Sequence, residues 1–325
     1  MSTSSADRTP ATASVPAEPA AETGRAPKRI RSDSQDAEPP KPRTTDHRPP
    51  ALEPSLFNST PIPDLVSAIG KFLFQHVNRP HVEIEAKLGQ LIDNMTGQRL
   101  VLPATSMCIV NLEPTFAGGV GGGSGGPRSR YRFKSDMTLE QHRYFNQLLN
   151  RQTEVTQKPT YRGARVHYKH TREVDRFYVE PSGARVRVTY DQKTDEVVPG
   201  GVIEKHKIAH LDVYSPNTRM DFRITVSEEK PVPKPTVDAS HERQKDRLSY
   251  KHQIWQVDLT QVKSTARRGA PAEDLTVTHE LEIELADTDL FLRERSKFQT
   301  GQPNQYNTIV QTLLNNIHML AARFR

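Results

Sequence analysis

The sequence predicts an α+β fold that is mainly β, a large antiparallel strand system with a few helices packed outside it. Between residues 82 and 285, long runs alternate polar and apolar side chains with a period of two. Clusters of Pro and Gly separate these runs, among them Pro181-Ser182-Gly183, Pro199-Gly200-Gly201 and the proline-rich 231–235. Only three stretches carry helical spacing instead.

Taken in order, the chain begins with a segment that contains no Leu, Phe, Tyr or Trp before Leu52 and holds ten of the 25 prolines in its first 54 positions. So little apolar surface cannot offset the entropy of ordering, so residues 1–55 are expected to be a disordered tail and 56–325 the folded domain. Pro27-Lys28-Arg29-Ile30-Arg31 within the tail has the character of a nuclear localisation signal. The first helix is expected over 62–76, where Ile62, Leu65, Ile69, Phe72 and Leu73 recur on one face behind N-terminal prolines. A second is expected over 139–151, opened by a capping box of Thr138 and Gln141. A third, over 304–324, repeats Ile309, Leu313, Ile317 and Leu320. The strand runs are 82–88, 184–190, 222–229, 248–250, 254–260 and 278–285. Gly118 to Gly126 is glycine-rich but lacks the Gly-Lys-Ser/Thr ending of a phosphate loop, and Pro127 interrupts any helix start; a flexible hairpin insertion fits better.

Composition excludes several classes of function. Cys108 is the only cysteine, which rules out a disulfide framework or a cysteine-rich zinc site within one chain and fits a reducing compartment. No run approaches the roughly 18 consecutive apolar residues of a membrane-spanning helix, so a soluble intracellular protein with no membrane partner is expected. The net charge of +6 favours a polyanionic partner only weakly.

The charged residues say more by their spacing. Residues two apart on a strand share a face, so Glu83, Glu85 and Lys87 stand together, backed by Ile84, Ala86 and Leu88. Glu280, Glu282 and Glu284 do the same, backed by Leu281, Ile283 and Leu285. Three carboxylates in a row repel one another and disfavour the strand unless cations compensate. One such ladder alone is better explained as the solvated face of an ordinary sandwich. Two, each with an apolar back, point to a site for a hard divalent cation such as Mg²⁺ or Mn²⁺. Basic residues follow the same alternation: Arg185 with Arg187, Lys205 with Lys207, Lys245 with Arg247, and Arg223 with Glu229. If these strands close into one barrel, the polar faces line a tunnel that binds a metal–polyphosphate complex, and the apolar faces turn outward under the helices.

With Glu83-x-Glu85-x-Lys87 early and Glu280-Leu281-Glu282-Ile283-Glu284 late, the chain resembles the triphosphate tunnel metalloenzyme superfamily. Arg187-Val188-Thr189-Tyr190-Asp191, Tyr214-Ser215-Pro216-Asn217 and Lys245-Asp246-Arg247-Leu248-Ser249-Tyr250 narrow the resemblance to the fungal RNA 5′-triphosphatases, the β subunits of the mRNA-capping enzyme. It spans residues 61–325 and implies a closed antiparallel eight-stranded barrel forming a polar tunnel. It also implies hydrolysis of an RNA 5′-triphosphate end, the first step of mRNA capping, in the nucleus. Carried over by position, Glu83, Glu85 and Glu284 would hold the metal, with Glu280 and Glu282 completing the acidic wall. Arg187, Lys245 and Arg247 fall where the family contacts the γ-phosphate, and Lys87 and Lys207 match further tunnel cations. Glu229 aligns with the carboxylate that orients or activates water, although a one-residue register change would put Glu228 there. Asp258 matches a supporting acidic position. A homodimer and the mRNA guanylyltransferase as partner follow from the resemblance alone. Trp255, the only tryptophan, falls inside the strand region, so the tryptophan-bearing segment with which some relatives dock the guanylyltransferase is not recognisable. Two other readings remain at this stage: a tunnel hydrolase acting on tripolyphosphate or nucleoside triphosphates, and a non-catalytic RNA-end binding subunit.

Overall fold

A computed structural model describes residues 52–111, 129–264 and 276–324. The tail with its basic cluster and the glycine-rich stretch lie outside these residues, apart from a turn in which the Asn58 amide donates to the Ser55 carbonyl at 3.0 Å. All that follows concerns the unit Ser59–Arg325.

Eight antiparallel strands form a closed ring. They are β1 (Val82–Asp93), β4 (His167–Val179), β5 (Arg185–Asp191), β6 (Val197–Tyr214), β7 (Asp221–Pro231), β8 (His241–His252), β9 (Trp255–Ser264) and β10 (Thr276–Leu285). Around the ring the order is β1-β10-β9-β8-β4-β5-β6-β7, and β1 closes it by pairing both β10 and β7. Short strands β2 (Cys108–Ile109) and β3 (Tyr131–Lys134) are added to β6 and β1.

The expected outward turn of the apolar faces holds on the β1 side. Ile84, Ala86 and Leu88, with Phe222, Ile224 and Val226 of β7 and Leu281, Ile283 and Leu285 of β10, are buried beneath α1 (Asp64–His76), α2 (Leu139–Gln157), α3 (Thr288–Gln299) and α4 (Tyr306–Arg323). Helix α2 opens with the capping box, Thr138 accepting from the Gln141 amide and Gln141 from the Thr138 amide. The opposite side of the barrel differs from expectation. There Tyr178, Val186, Val188 and Tyr190 form a separate cluster with Val232, Val237 and Ala239 from the segment after β7 rather than with a helix.

Two further differences have clear causes. Pro199-Gly200-Gly201 does not separate strands; it forms an irregularity inside β6, between the pairs Val188–Val202 and Tyr190–Val197. Gly200 takes φ +70°, and a side chain at Gly201 would meet the Thr189 carbonyl oxygen at 2.9 Å, so both positions need glycine. The β5–β6 reversal falls instead at Asp191, whose carboxylate accepts from the Lys193 and Thr194 amides. The Tyr214-Ser215-Pro216-Asn217 segment is clamped by buried Asp221, which accepts from the amides of Ser215 and Leu91 and takes a forked pair from Arg99 at 2.6 and 3.0 Å.

A polar tunnel as candidate active site

The inward faces enclose a cavity of about 1110 Å³. Ordinary small-ligand pockets run to roughly 300–1,000 Å³ and are mostly apolar; this one is lined by charged side chains. Direct pairing sets its acidic wall: Glu85 stands opposite Glu284 across β1–β10, and Lys87 opposite Glu282. Lys87 bonds Glu282 closely and lies 3.4 Å from Glu280 and 3.9 Å from Glu85. Burial works against ionisation of Glu282, but Lys87 and Arg247 hold its carboxyl well below the usual carboxylate range.

Glu83, Glu85 and Glu284 are compensated less fully. Burial raises Glu83, which Lys205 only partly offsets. Burial pushes Glu85 up to about 7, and burial together with the like charges of Glu83 and Asp258 pushes Glu284 up to about 8. Glu83 stands two residues along β1 from Glu85, the register partner of Glu284, and all three line the cavity. Such a trio is the donor set of a hard divalent cation: carboxylate oxygens, no thiolate or imidazole, and charge only partly compensated by the protein. The donor chemistry therefore fits. Among the described residues no cluster of three ligating side chains stands preformed, and Lys205 bonds Glu83 directly.

Across the bore lie the cations of β5, β6 and β8. Arg187 donates to Glu229 Oε1 at 3.1 Å, Lys205 reaches the same oxygen at 3.1 Å, and Lys245 pairs closely with buried Asp175. Asp175 also accepts from the Thr189 hydroxyl at 2.7 Å. Against the effect of burial, Arg187 and Lys205 hold Glu229 below its ordinary pKa, so it stays anionic. Glu229 lines the cavity; Glu228 is on the alternate face, opposite His206 and Val82, and does not.

Of the sequence-predicted residues, Glu83, Glu85, Lys87, Arg187, Glu229, Lys245, Arg247, Glu280, Glu282 and Glu284 all line this one cavity. Two do not. Lys207 is largely exposed beyond Lys205, just before a break in regular pairing between Lys207 and Ala209, and partial burial with the nearby Arg223 lowers its proton affinity. Asp258 is buried behind the wall, 3.5 Å from Arg247, and positions that guanidinium. Arg223 is likewise withdrawn: it forks onto Asp212 at 2.6 and 2.8 Å beneath the Phe133 ring. Sequence patterning missed Asp175 and Glu173, both on β4 and both in the lining.

Comparison with known proteins agrees with this geometry. Residues 59–325 match the family model described as mRNA capping enzyme, beta chain. The mRNA-capping enzyme subunit beta of Schizosaccharomyces pombe is 35% identical over 286 residues, covering 86% of this chain and 87% of that protein. That of Cryptococcus neoformans var. neoformans is 34% identical over 84% of this chain and 65% of its own length. The solved structure of the S. pombe Pct1 RNA triphosphatase superposes with a TM-score of 0.73 at 32% identity, covering 86% of this chain and all of that one. The chain belongs to the mRNA-capping enzyme β-chain family, and its closed polar tunnel is that of an RNA triphosphatase.

Proposed function

We propose that the tunnel hydrolyses the γ-phosphate of an RNA 5′-triphosphate end, giving a 5′-diphosphate end and inorganic phosphate, with Mg²⁺ or Mn²⁺ as cofactor. One juxtaposition carries this reading: a wall of crowded, only partly compensated carboxylates on β1 and β10 faces a wall of cations on β5 and β8 across the same bore. A polyphosphate carrying a divalent ion is complementary to both walls at once.

Glu83, Glu85 and Glu284 would hold the ion. When bound, it polarises a γ-phosphate oxygen and neutralises charge on it. Arg187, Lys245 and Arg247 donate to the phosphoryl oxygens, whose charge is spread over three equatorial positions as the bond to the leaving oxygen loosens. Asp175, Asp258 and Glu282 fix those cations in place before substrate arrives, so little reorganisation is needed. Glu229 accepts a hydrogen bond from the attacking water and sets it in line with the leaving group. A carboxylate held below its ordinary pKa is a weak proton acceptor, so its part is orientation. Glu280 and Glu282 act through Lys87, which they hold charged and in place. On this reading residues 1–55 are a tail to the catalytic domain, and the protein works in the nucleus as a homodimer that hands its product to the mRNA guanylyltransferase.

Release of ³²P from γ-labelled pppRNA with Mg²⁺ or Mn²⁺ tests the assignment. Glu83→Ala is expected to lower the rate by on the order of 10²-fold, the scale of removing one electrostatic stabiliser. Near-normal metal-dependent release by that variant would overturn it.

A further inference from the structure

The cavity does not end at the inner cations. Along β8 its lining residues run outward from Arg247 and Lys245 to Arg243 and then His241. His241 stands opposite Phe177 of β4, and their rings stack with centroids 4.5 Å apart and planes 4° from parallel. The Arg243 guanidinium lies over the Phe177 ring at 5.1 Å. Ser240 Oγ, 2.9 Å from His241 Nδ1 and from the Phe177 carbonyl oxygen, fixes the imidazole.

This aromatic pair is out of keeping with its surroundings. Phe177 points into a polar bore and belongs to none of the apolar clusters that stabilise the fold. Both rings are half-buried and line the cavity. The cations of the bore are of two kinds. Lys87, Arg187, Lys205, Lys245 and Arg247 are all engaged by carboxylates, whereas Arg185 and Arg243 are exposed and, among the described residues, make no ion pair. From His241 to Lys245 is four residues, roughly 13 Å of strand. That leaves room for the α- and β-phosphates and the ribose between a base on the rings and Lys245, with Arg187, in register with Phe177 across β4–β5, beside that path.

We propose that this rim seats the first nucleoside of the RNA: its base stacks on the Phe177–His241 pair, and the phosphodiester that follows lies against Arg185 and Arg243. The proposal rests on the triphosphatase reading above and adds to it the part of the substrate beyond the phosphate chain. Stacking on an aromatic face accepts any base, because each has a π-surface. The rim therefore distinguishes an RNA end from a bare polyphosphate and does not select a sequence.

The test compares KM and kcat for γ-labelled pppRNA and for inorganic tripolyphosphate, which has no base, in wild type, His241→Ala and Phe177→Leu. The ratio of the KM for pppRNA to that for tripolyphosphate is expected to rise on the order of tenfold, the scale of losing one base–aromatic stack, while kcat for pppRNA moves much less. A ratio that stays put in both variants overturns the proposal. If wild type releases no phosphate from pppRNA, the parent reading fails instead. Should Phe177→Leu fold poorly, Phe177→Trp supplies an independent measurement, the only native tryptophan, Trp255, being buried. Its emission is expected to be quenched by pppRNA far more than by tripolyphosphate, and equal quenching by the two overturns the proposal.

Discussion

Replacing Asp175 with asparagine removes one buried charge while keeping the shape of the side chain, and so isolates what the carboxylates do for the tunnel cations. Asp175 and Lys245 have side-chain exposures of 1% and 14%. The pair therefore belongs with buried ion pairs, where removing one partner costs about 3–5 kcal/mol, rather than with surface pairs worth up to about 1 kcal/mol. In Asp175→Asn the amide oxygen can still accept from the Thr189 hydroxyl, so the change is one of charge. Lys245 is then left beside Arg247 and Arg187, and its way out is to lose its proton. Burial already lowers its proton affinity, with Arg247 and Arg187 pushing the same way and Asp175 resisting. Stripping an ordinary lysine at pH 7 costs about 5 kcal/mol, at 1.36 kcal/mol per pH unit, and this caps the penalty. With the lysine pKa depressed in the fold, the unfolded chain binds more protons between that pKa and about 10.4, so stability rises with pH through the window. Activity moves the other way, since a neutral amine stabilises phosphoryl oxygens less. Urea unfolding and kcat/KM, each measured from about pH 6 to about pH 9, should show the variant regaining stability while losing its alkaline activity. Wild-type stability, or stability and activity falling together as pH rises, would refute the reasoning.

Glu229→Gln is expected to lose on the order of 10²–10³ in kcat, and Glu228→Gln less than about twofold; equal losses would show that the β7 register has been misassigned. Because Glu85 and Glu284 take up protons near 7 and 8, apparent Mg²⁺ affinity should rise from about pH 6 to about pH 8 with release of protons. Calorimetry in buffers of differing ionisation enthalpy measures that release, and a pH-independent affinity would contradict it. A Cβ at Gly89 would lie 2.2 Å from the Lys134 carbonyl oxygen and 2.8 Å from the Phe133 ring. Gly89→Ala should therefore force β3 off β1 and cost at least the roughly 1–3 kcal/mol of an overpacked site, measured by urea unfolding.

What could be read from the sequence tracks how strictly the two faces of an element differ. β1, β7 and β10 alternate over 82–88, 222–227 and 280–285, where one face meets helices and the other turns inward, and β1 and β10 carry the acidic wall. β4 does not alternate: His167-Tyr168-Lys169-His170 is exposed on both faces, and the strand's apolar outer residues are few. Missing the strand meant missing Asp175. Helix α3 escaped notice for a related reason. Its buried face holds Phe291 with Glu294 and Arg295, which are satisfied by the Gln305 amide at 2.7 Å and by the Phe74 carbonyl at 2.9 Å. A stripe buried through polar bonds leaves no apolar period to find. Arg223 and Lys207 show the reverse error, for alternation gives a face but not what covers it; β3 lays Phe133 over the one, and the other lies largely exposed outside the lining.

The way the tunnel's charges are arranged also bears on what it binds. Among the described lining residues eight carboxylates face seven Lys and Arg, so the bore is close to balance. A polar interior that is balanced and well mixed would be inert, every charge spent on a neighbour. Here the balance is kept but the charges are sorted. Five of the eight carboxylates belong to β1 and β10, while six of the seven cations belong to β5, β6 and β8. Sorting leaves strain at both extremes: Glu85 and Glu284 hold protons well above the usual carboxylate range, and Arg185 and Arg243 are left without a counter-ion among the described residues. A phosphate chain alone would leave the first pair unrelieved, and a divalent ion alone would do nothing for the second. A ligand that carries cation and polyanion together answers both, and such a ligand is a metal-bound triphosphate at the end of an RNA.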